Sequence, residues 1–259
     1  MNLKNIISIV NQKGGVGKTT TSVNLGTALA AIEKKVLLID LDPQGNLSTG
    51  LGVNYDNRKL TVYDLIIDGG VAIDKTIIDT RIPGLFIIPS SINLSGIEFE
   101  LANDDEKNSK LFNQIKKLKR HFDFILIDCP PSLGILTVNS LVASSPVLVP
   151  LQCEFYALEG LAQLLRTVEK VRNNLNSRLY LEGVVLTMHD IRNRLSEDVI
   201  SDARNHLGDK VYKTIIPRNV KLSEAPSHGL PAILYDNKCA GSTAYIELAK
   251  EFIAKLNVK

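Results

Sequence analysis

Short apolar runs alternate along the chain with longer stretches in which apolar residues recur every three or four positions. The runs fall at residues 6–10, 35–40, 85–89, 122–127, 146–151, 181–188 and 211–216. They are too continuous for half-solvated strands and too short for helices, so they predict strands buried on both faces. Between them, residues 21–32, 61–66, 94–101, 109–120, 136–144, 155–174, 196–207 and 244–256 read as helices. Gly69-Gly70 stops the second of these, and Gly208 stands as a C-cap after 196–207. In 155–174, Leu158, Leu161, Leu165, Val168 and Val171 form an inward stripe, while Arg166, Lys170 and Arg172 face out. Regular alternation of this kind predicts an α/β fold: a mostly parallel twisted sheet with helices on both faces, in a single domain over residues 1–259. No repeat, low-complexity tract or linker interrupts it.

Composition adds exclusions. Hydrophobic residues make up 44% and charged residues 22%, as in an ordinary soluble globule. No apolar run approaches the roughly 18 residues that span a bilayer. The N-terminal strand feeds a glycine-rich loop and lacks a small-residue cleavage site, so it does not read as a signal peptide. Cys129, Cys153 and Cys239 are far apart and lack zinc or C-x-x-C spacing, which predicts reduced thiols in a cytoplasmic protein. Net charge is +2. Residues 1–150 carry 15 basic and 15 acidic side chains and residues 151–259 carry 15 and 13, so any basic surface is local.

The chemistry starts at residues 12–21, QKGGVGKTTT, between the first strand and the first helix. Strand, glycine loop, lysine, hydroxyl and helix, in that order, predict a phosphate-binding loop. Gly14, Gly15 and Gly17 let the backbone close around phosphate oxygens, and the loop amides, Val16 included, point with the helix N-terminus at the anion. Lys18 supplies a positive charge, Thr19 a hydroxyl suited to Mg²⁺, and Thr20 extends the cradle. The loop departs from G-x-x-x-x-G-K-[ST]: Gln12 replaces the first glycine and a second lysine, Lys13, stands beside it. A lone lysine there reads as a solvated loop side chain. Two strands end in carboxylates near this loop, the first at Asp40 with Asp42 following in DLDPQGN, the second at Asp128 in ILIDCPP. Strand ends beside a phosphate loop are where α/β folds bind ligands. One carboxylate there can support a metal while another orients water; equally, Asp40 can cap the loop with Asp42 in solvent.

K-G-G-V-G-K-T resembles the deviant phosphate loop of the ParA/MinD class of P-loop ATPases. The resemblance extends along the chain through DLDPQGN, ILIDCPP, PLQCEFYALEG, LTMHD and IPRNVKLSEAPSHG, the last two narrowing it towards the chromosomal ParA subgroup called Soj. It implies a P-loop NTPase fold that binds ATP or ADP with Mg²⁺ through residues 13–20. Thr19, Asp42 and Asp128 would serve the metal, and Asp42 would activate the attacking water. Pro217 and Asn219 would hold the adenine. Lys13 would cross to the partner's nucleotide in an ATP-bound homodimer, joining Lys18 and Asp42 as the catalytic set. The resemblance further implies non-specific binding to nucleoid DNA, with Arg192, Arg218 and Lys221 as candidates and Arg194 and Lys250 as weaker ones. Residues 166–221 hold 11 basic against 7 acidic side chains, a modest excess that a solvated charged face would also explain. A ParB-type partner would stimulate hydrolysis and return the dimer to monomers.

Three rival readings are a MinD-like membrane-associated ATPase, an ATPase positioning a protein cluster, and a metabolic enzyme. Against the first, 244–256 has ordinary core-packing spacing and only three residues follow it. The second differs only in the partner. The third needs a second substrate pocket, and the sequence offers no polar constellation for one.

Overall fold

The computed structural model describes residues 5–257. Strands form at β1 (Ile6–Ile9), β2 (Val36–Asp40), β3 (Ile78–Asp79), β4 (Leu85–Ile88), β5 (Phe124–Asp128), β6 (Pro146–Gln152) and β7 (Tyr180–Thr187). They make one sheet in the order β3-β4-β2-β5-β1-β6-β7, parallel throughout except for the β3–β4 pair. The helices are α1 (Lys18–Ala31), α2 (Asn46–Gly50), α3 (Val62–Ile67), α4 (Ile97–Glu100), α5 (Lys110–Ile115) and α6 (Ile135–Ala143). They continue with α7 (Ala157–Asn174), α8 (Arg194–Leu207), α9 (Val220–Glu224), α10 (Ala232–Tyr235) and α11 (Ala240–Asn257).

The two-residue period of the strands divides the core in two. Ile6, Leu37, Ile39, Ile125 and Ile127 face the layer built by α3, α5, α6, α7 and α8. Their neighbours Ile7, Val36, Leu38, Phe124 and Leu126 face α1 and α11. Continuous apolar runs are therefore needed in the inner strands, which have no solvated side, whereas the edge strand β3 exposes Asp79. On the second face Tyr245, Leu248, Ala249 and Phe252 of α11 are buried, and the Phe252 ring lies 5.9 Å from that of Phe124. The three cysteines are free, with Cys129 and Cys153 buried.

Several elements depart from the periodicity. Residues 211–216 run beside β7 with only isolated bridges, Val184 to Val211 and His189 to Pro217. The ladder fails between them because the amides of Lys213 and Thr214 donate to the Glu251 carboxylate at 2.8 and 2.9 Å. Residues 109–120 give only the short α5, which ends in tight turns as the Lys117 and Leu118 amides bond the Gln114 and Ile115 carbonyls; the Lys119 and Arg120 amides then bond Asp74. Residues 94–101 resolve into a tight turn of 3₁₀ type over Ile92–Gly96 followed by α4. Phe155 precedes α7 and is 72% exposed, and the inward stripe of that helix includes Leu164, which the spacing argument omitted.

Two strand ends meet at one place. Asp40 pairs in register with Asp128, and Asp128 with Ile9, so both carboxylates flank the exit of β1 into the glycine loop. Strands β5 and β2 lie on one side of β1 and β6 and β7 on the other, which opens a crevice at the carboxyl ends.

The close approach of residue 212 to β7 depends on Gly183, which follows an irregularity in the β6–β7 register. A Cβ there would come 2.8 Å from the Lys210 carbonyl oxygen and 2.5 Å from the Tyr212 ring. Gly183→Ala should cost about 1–3 kcal/mol through this overpacking. Urea unfolding should show a lower midpoint with an unchanged slope; an unchanged midpoint would mean that the segment yields freely.

Candidate functional site

The loop that leaves β1 is held from both sides. Asn11 donates to the Pro150 carbonyl at 2.8 Å and accepts from the Lys13 amide at 3.0 Å. The Thr187 hydroxyl at the end of β7 donates to the Val16 carbonyl at 2.9 Å. Gly15 and Gly17 sit in the left-handed region with φ of 76° and 89°, where a side chain would be strained. Gly17 starts α1, whose first turn carries no acidic residue to compete for its amides. Helix terminus and loop together form an anion cradle.

This cradle opens into a cavity of about 570 Å³. Gly14, Gly15, Gly17, Lys18, Thr19 and Thr20 line one end, with Asp42, Gln44, Asn46 and Thr49 from the loop after β2. Met188, Leu222, Pro226, Leu230, Pro231 and Ala232 supply the cavity's apolar lining. Met188 is held at φ 53°, an unusual conformation for a side chain with a Cβ. Asn24 braces this wall by accepting from the Ala232 amide at 2.9 Å.

Lys18 is 6% exposed and donates to the Lys13 carbonyl at 2.8 Å. Burial pulls its pKa down from the ordinary lysine value, against the opposing pull of Asp128, Cys129 and Asp42. Asp128 is fully buried behind Thr19 and does not line the cavity. It accepts from the Thr19 hydroxyl at 2.7 Å and the Ser22 hydroxyl at 2.8 Å. Burial and the neighbouring Asp40 raise its pKa to about 7, although both hydroxyls favour the charged form. Asp40, also fully buried, accepts from the Ser48 amide at 2.8 Å and hydroxyl at 2.6 Å, and burial raises it to about 6. Asp40 is thus the loop's anchor, and Asp42 is the carboxylate that faces the cavity. Burial pushes the Cys129 thiol up to about 12, which leaves it inert.

Among the described residues no cluster of three or more histidine, cysteine, aspartate or glutamate side chains could hold a metal. The oxygen donors at the cavity are the Thr19 hydroxyl and the Asp42 carboxylate, with Asp128 behind Thr19. So small a hard-oxygen set fits Mg²⁺, which keeps several waters and takes ligand phosphates as further donors.

The remaining predicted residues lie outside this cavity. Lys13 is 48% exposed and ion-pairs with Glu154, while Gln12 donates to the Gly160 carbonyl and the Gln163 side chain. Pro217 bridges to His189, and the Asn219 carboxamide caps α9 by accepting from the Lys221 amide at 2.9 Å. Neither Pro217 nor Asn219 is part of the lining, whose apolar end comes from Met188 and residues 222–232. Sequence reasoning missed that wall, because residues 222–232 form short turns and helices with no apolar period to mark them. Arg192 is chelated by Asp190 at 2.9 and 2.7 Å, and the exposed Arg218 also acts on Asp190. Lys221 pairs with Glu224 at 2.9 Å and Lys250 with Glu247 at 2.6 Å; Arg194 is exposed at the start of α8.

A family model described as an AAA domain matches residues 4–181. The chromosome partitioning protein ParA of Caulobacter vibrioides is 54% identical over 252 residues, covering 96% of this chain and 94% of the relative. The sporulation initiation inhibitor protein Soj of Bacillus subtilis is 53% identical over 249 residues, covering 96% and 98%. Among solved structures, cobyrinic acid a,c-diamide synthase of Mycobacterium smegmatis with a bound ATP analogue and magnesium superposes with a TM-score of 0.85 at 37% identity, covering 95% and 93%. The cell division ATPase MinD of Pyrococcus furiosus follows with 0.78 at 30%, covering 97% and 99%. A glycine-loop cradle, two strand-end carboxylates and this likeness along nearly the whole length agree: the chain belongs to the ParA/Soj family of chromosome-partitioning ATPases.

Proposed function

We propose that this protein is a DNA-segregation ATPase whose ATP-bound homodimer binds DNA without sequence preference and is reset by hydrolysis. ATP with Mg²⁺ would occupy the cavity, its phosphates on residues 14–20 and its base against the Met188–Ala232 wall. Thr19 would hold the Mg²⁺, with Asp42 near it and Asp128 fixing the Thr19 hydroxyl from behind. Asp42 would also orient the attacking water. The observation that carries the dimer reading is the placement of Lys13: its side chain leaves its own cavity and stays half-exposed on Glu154. By exchanging Glu154 for a phosphate it would neutralise charge on the nucleotide of a second subunit, an effect that can be worth ~10³–10⁵ in rate when an arginine supplies it. Relatives named for chromosome partitioning match at 52% and 54% identity, whereas the metabolic name belongs to a structure at 37%.

The DNA surface would combine Arg192, Arg218 and Lys221 from both subunits. Phosphate contacts add without base readout, so a nearly neutral monomer becomes a binder only when paired. Hydrolysis would be stimulated by a ParB-type partner and would release monomers from the nucleoid. A MinD-like membrane reading is disfavoured by α11, whose apolar side is spent in the core, and no helix among the described residues is long and apolar enough to cross a membrane.

Binding to a random-sequence duplex should require ATP, vanish with ADP and weaken steeply with salt. Arg218→Ala should weaken it more than Arg192→Ala, because Arg192 is already held by Asp190; Asp190→Asn should strengthen it several-fold. No DNA binding in any nucleotide state, together with ATP-dependent sedimentation on anionic liposomes, would instead establish the membrane reading.

Lys13→Ala should bind ATP with little change but remain monomeric, as read by light scattering on a sizing column. ATP-dependent dimers of this variant would show that Lys13 has no role across the interface.

A further inference from the structure

Arg58 is 9% exposed, and among the described residues no ion pair involves it. A guanidinium buried without a counter-charge is costly, so its donors must be satisfied by something of value. Its donors go to the segment that follows Asp42. Nε and Nη2 donate to the Val53 carbonyl at 3.1 and 2.9 Å, and Nη2 also reaches the Thr49 hydroxyl at 2.8 Å and the Gly45 carbonyl at 3.4 Å. Tyr55 covers the group with its ring centre 4.2 Å from Cζ.

The remaining nitrogen, Nη1, is buried and has no partner. It abuts Gly45 so closely that a Cβ at that position would collide with it. Gly45 lies in the left-handed region at φ 62°, and its amide donates back to the Asp42 carbonyl at 2.9 Å. Asp42, Gln44, Asn46 and Thr49, all from this segment, line the cavity. Asp40 pins the segment from the sheet through Ser48, and Arg58 grips it from the other side.

We propose that Arg58 is a positioning residue for the loop bearing Asp42, with its spare Nη1 donor taking up a loop carbonyl when the loop tightens on a bound nucleoside triphosphate. The inference rests on the reading that Asp42 orients the attacking water. An unpartnered donor against this loop supplies a reason for the loop to move: one more charge-assisted hydrogen bond becomes available in the tightened form. Lysine cannot replace this function, because an ammonium has no fork with which to hold Val53, Thr49 and Gly45 at once.

The test compares Arg58→Lys, Arg58→Ala and Asp42→Ala in the full chain. Affinity is read with a fluorescent ATP analogue, and hydrolysis by single-turnover phosphate release. Both Arg58 variants should bind the analogue within about threefold of the parent while hydrolysis slows by tenfold or more, and millimolar guanidinium should restore part of the rate in Arg58→Ala. If Arg58→Ala does not fold, Arg58→Lys, which keeps charge and length, carries the comparison. Parental hydrolysis in Arg58→Lys, or equal losses of affinity and rate without guanidinium rescue, would overturn the proposal. Asp42→Ala separates the two ideas. If it is inactive while the Arg58 variants turn over normally, only Arg58 has been misread; if it hydrolyses normally, the reading of Asp42 falls and this inference with it.

Discussion

A carboxylate buried at the end of a parallel strand must be given donors or take up a proton, and Asp128 is supplied by two hydroxyls at the start of α1, those of Thr19 and Ser22. That pair of bonds ties the centre of the sheet to the start of the helix that ends the glycine loop. The rest of the site follows from it. Thr19 cannot turn away from the cavity without abandoning a buried charge. Lys18 is buried in the same turn, where Asp128 and Asp42 favour its charged form against the cost of desolvation. The raised pKa of Asp128 shows how finely this is balanced: burial and Asp40 outweigh two hydroxyl donors and a lysine. A bound cation near Thr19 would tilt the balance back towards the carboxylate.

The second strand-end carboxylate solves the same problem differently. Asp40 is satisfied by Ser48, eight residues on, and so folds the intervening loop back over its own strand end. Asp42 is carried to the cavity as a consequence of that fold-back. Two aspartates two positions apart thereby acquire different work, one structural and buried, the other facing the ligand space. The loop is held through hydrogen bonds by the Asp40 carboxylate and the Arg58 guanidinium, while Leu47, Leu51 and Val53 anchor the segment beyond it in the core.

Much of the fold was legible because buried parallel strands have no choice of residue. Residues 6–10, 36–40 and 124–128 are apolar on both faces for the reason that two helical layers cover them. The phosphate end of the cavity was legible for a related reason: close backbone approach needs glycine, and glycines leave a mark in sequence. The apolar end was not. It is built by residues 222–232, short turns and helices whose side chains meet the cavity through tertiary packing without periodicity. The family pattern points to Pro217 and Asn219, which stand just before that segment, Asn219 as the cap of α9. Residues 211–216 looked like a strand and failed to complete one because a carboxylate 37 residues away from Thr214 took its amide. Nothing local in the sequence announces such a long-range competitor. Arg58 was passed over because an arginine in a polar loop gives no sign that it will be buried.

The charges outside the cavity are arranged so that the single chain offers little. Lys13 is neutralised by Glu154, Arg192 by Asp190 and Lys221 by Glu224. Exposed pairs of this kind are held weakly, because water and salt screen them. A phosphate, whether on a nucleotide or on a duplex, can therefore displace the carboxylate at little cost. Pairing lowers the positive field of the monomer without removing the cations, and this differs from simply lacking a basic surface. On the reading proposed above, binding would depend on bringing several such residues to one polyanion together, as two chains side by side would do. A net charge near zero would then be compatible with polyanion binding, with assembly coming first.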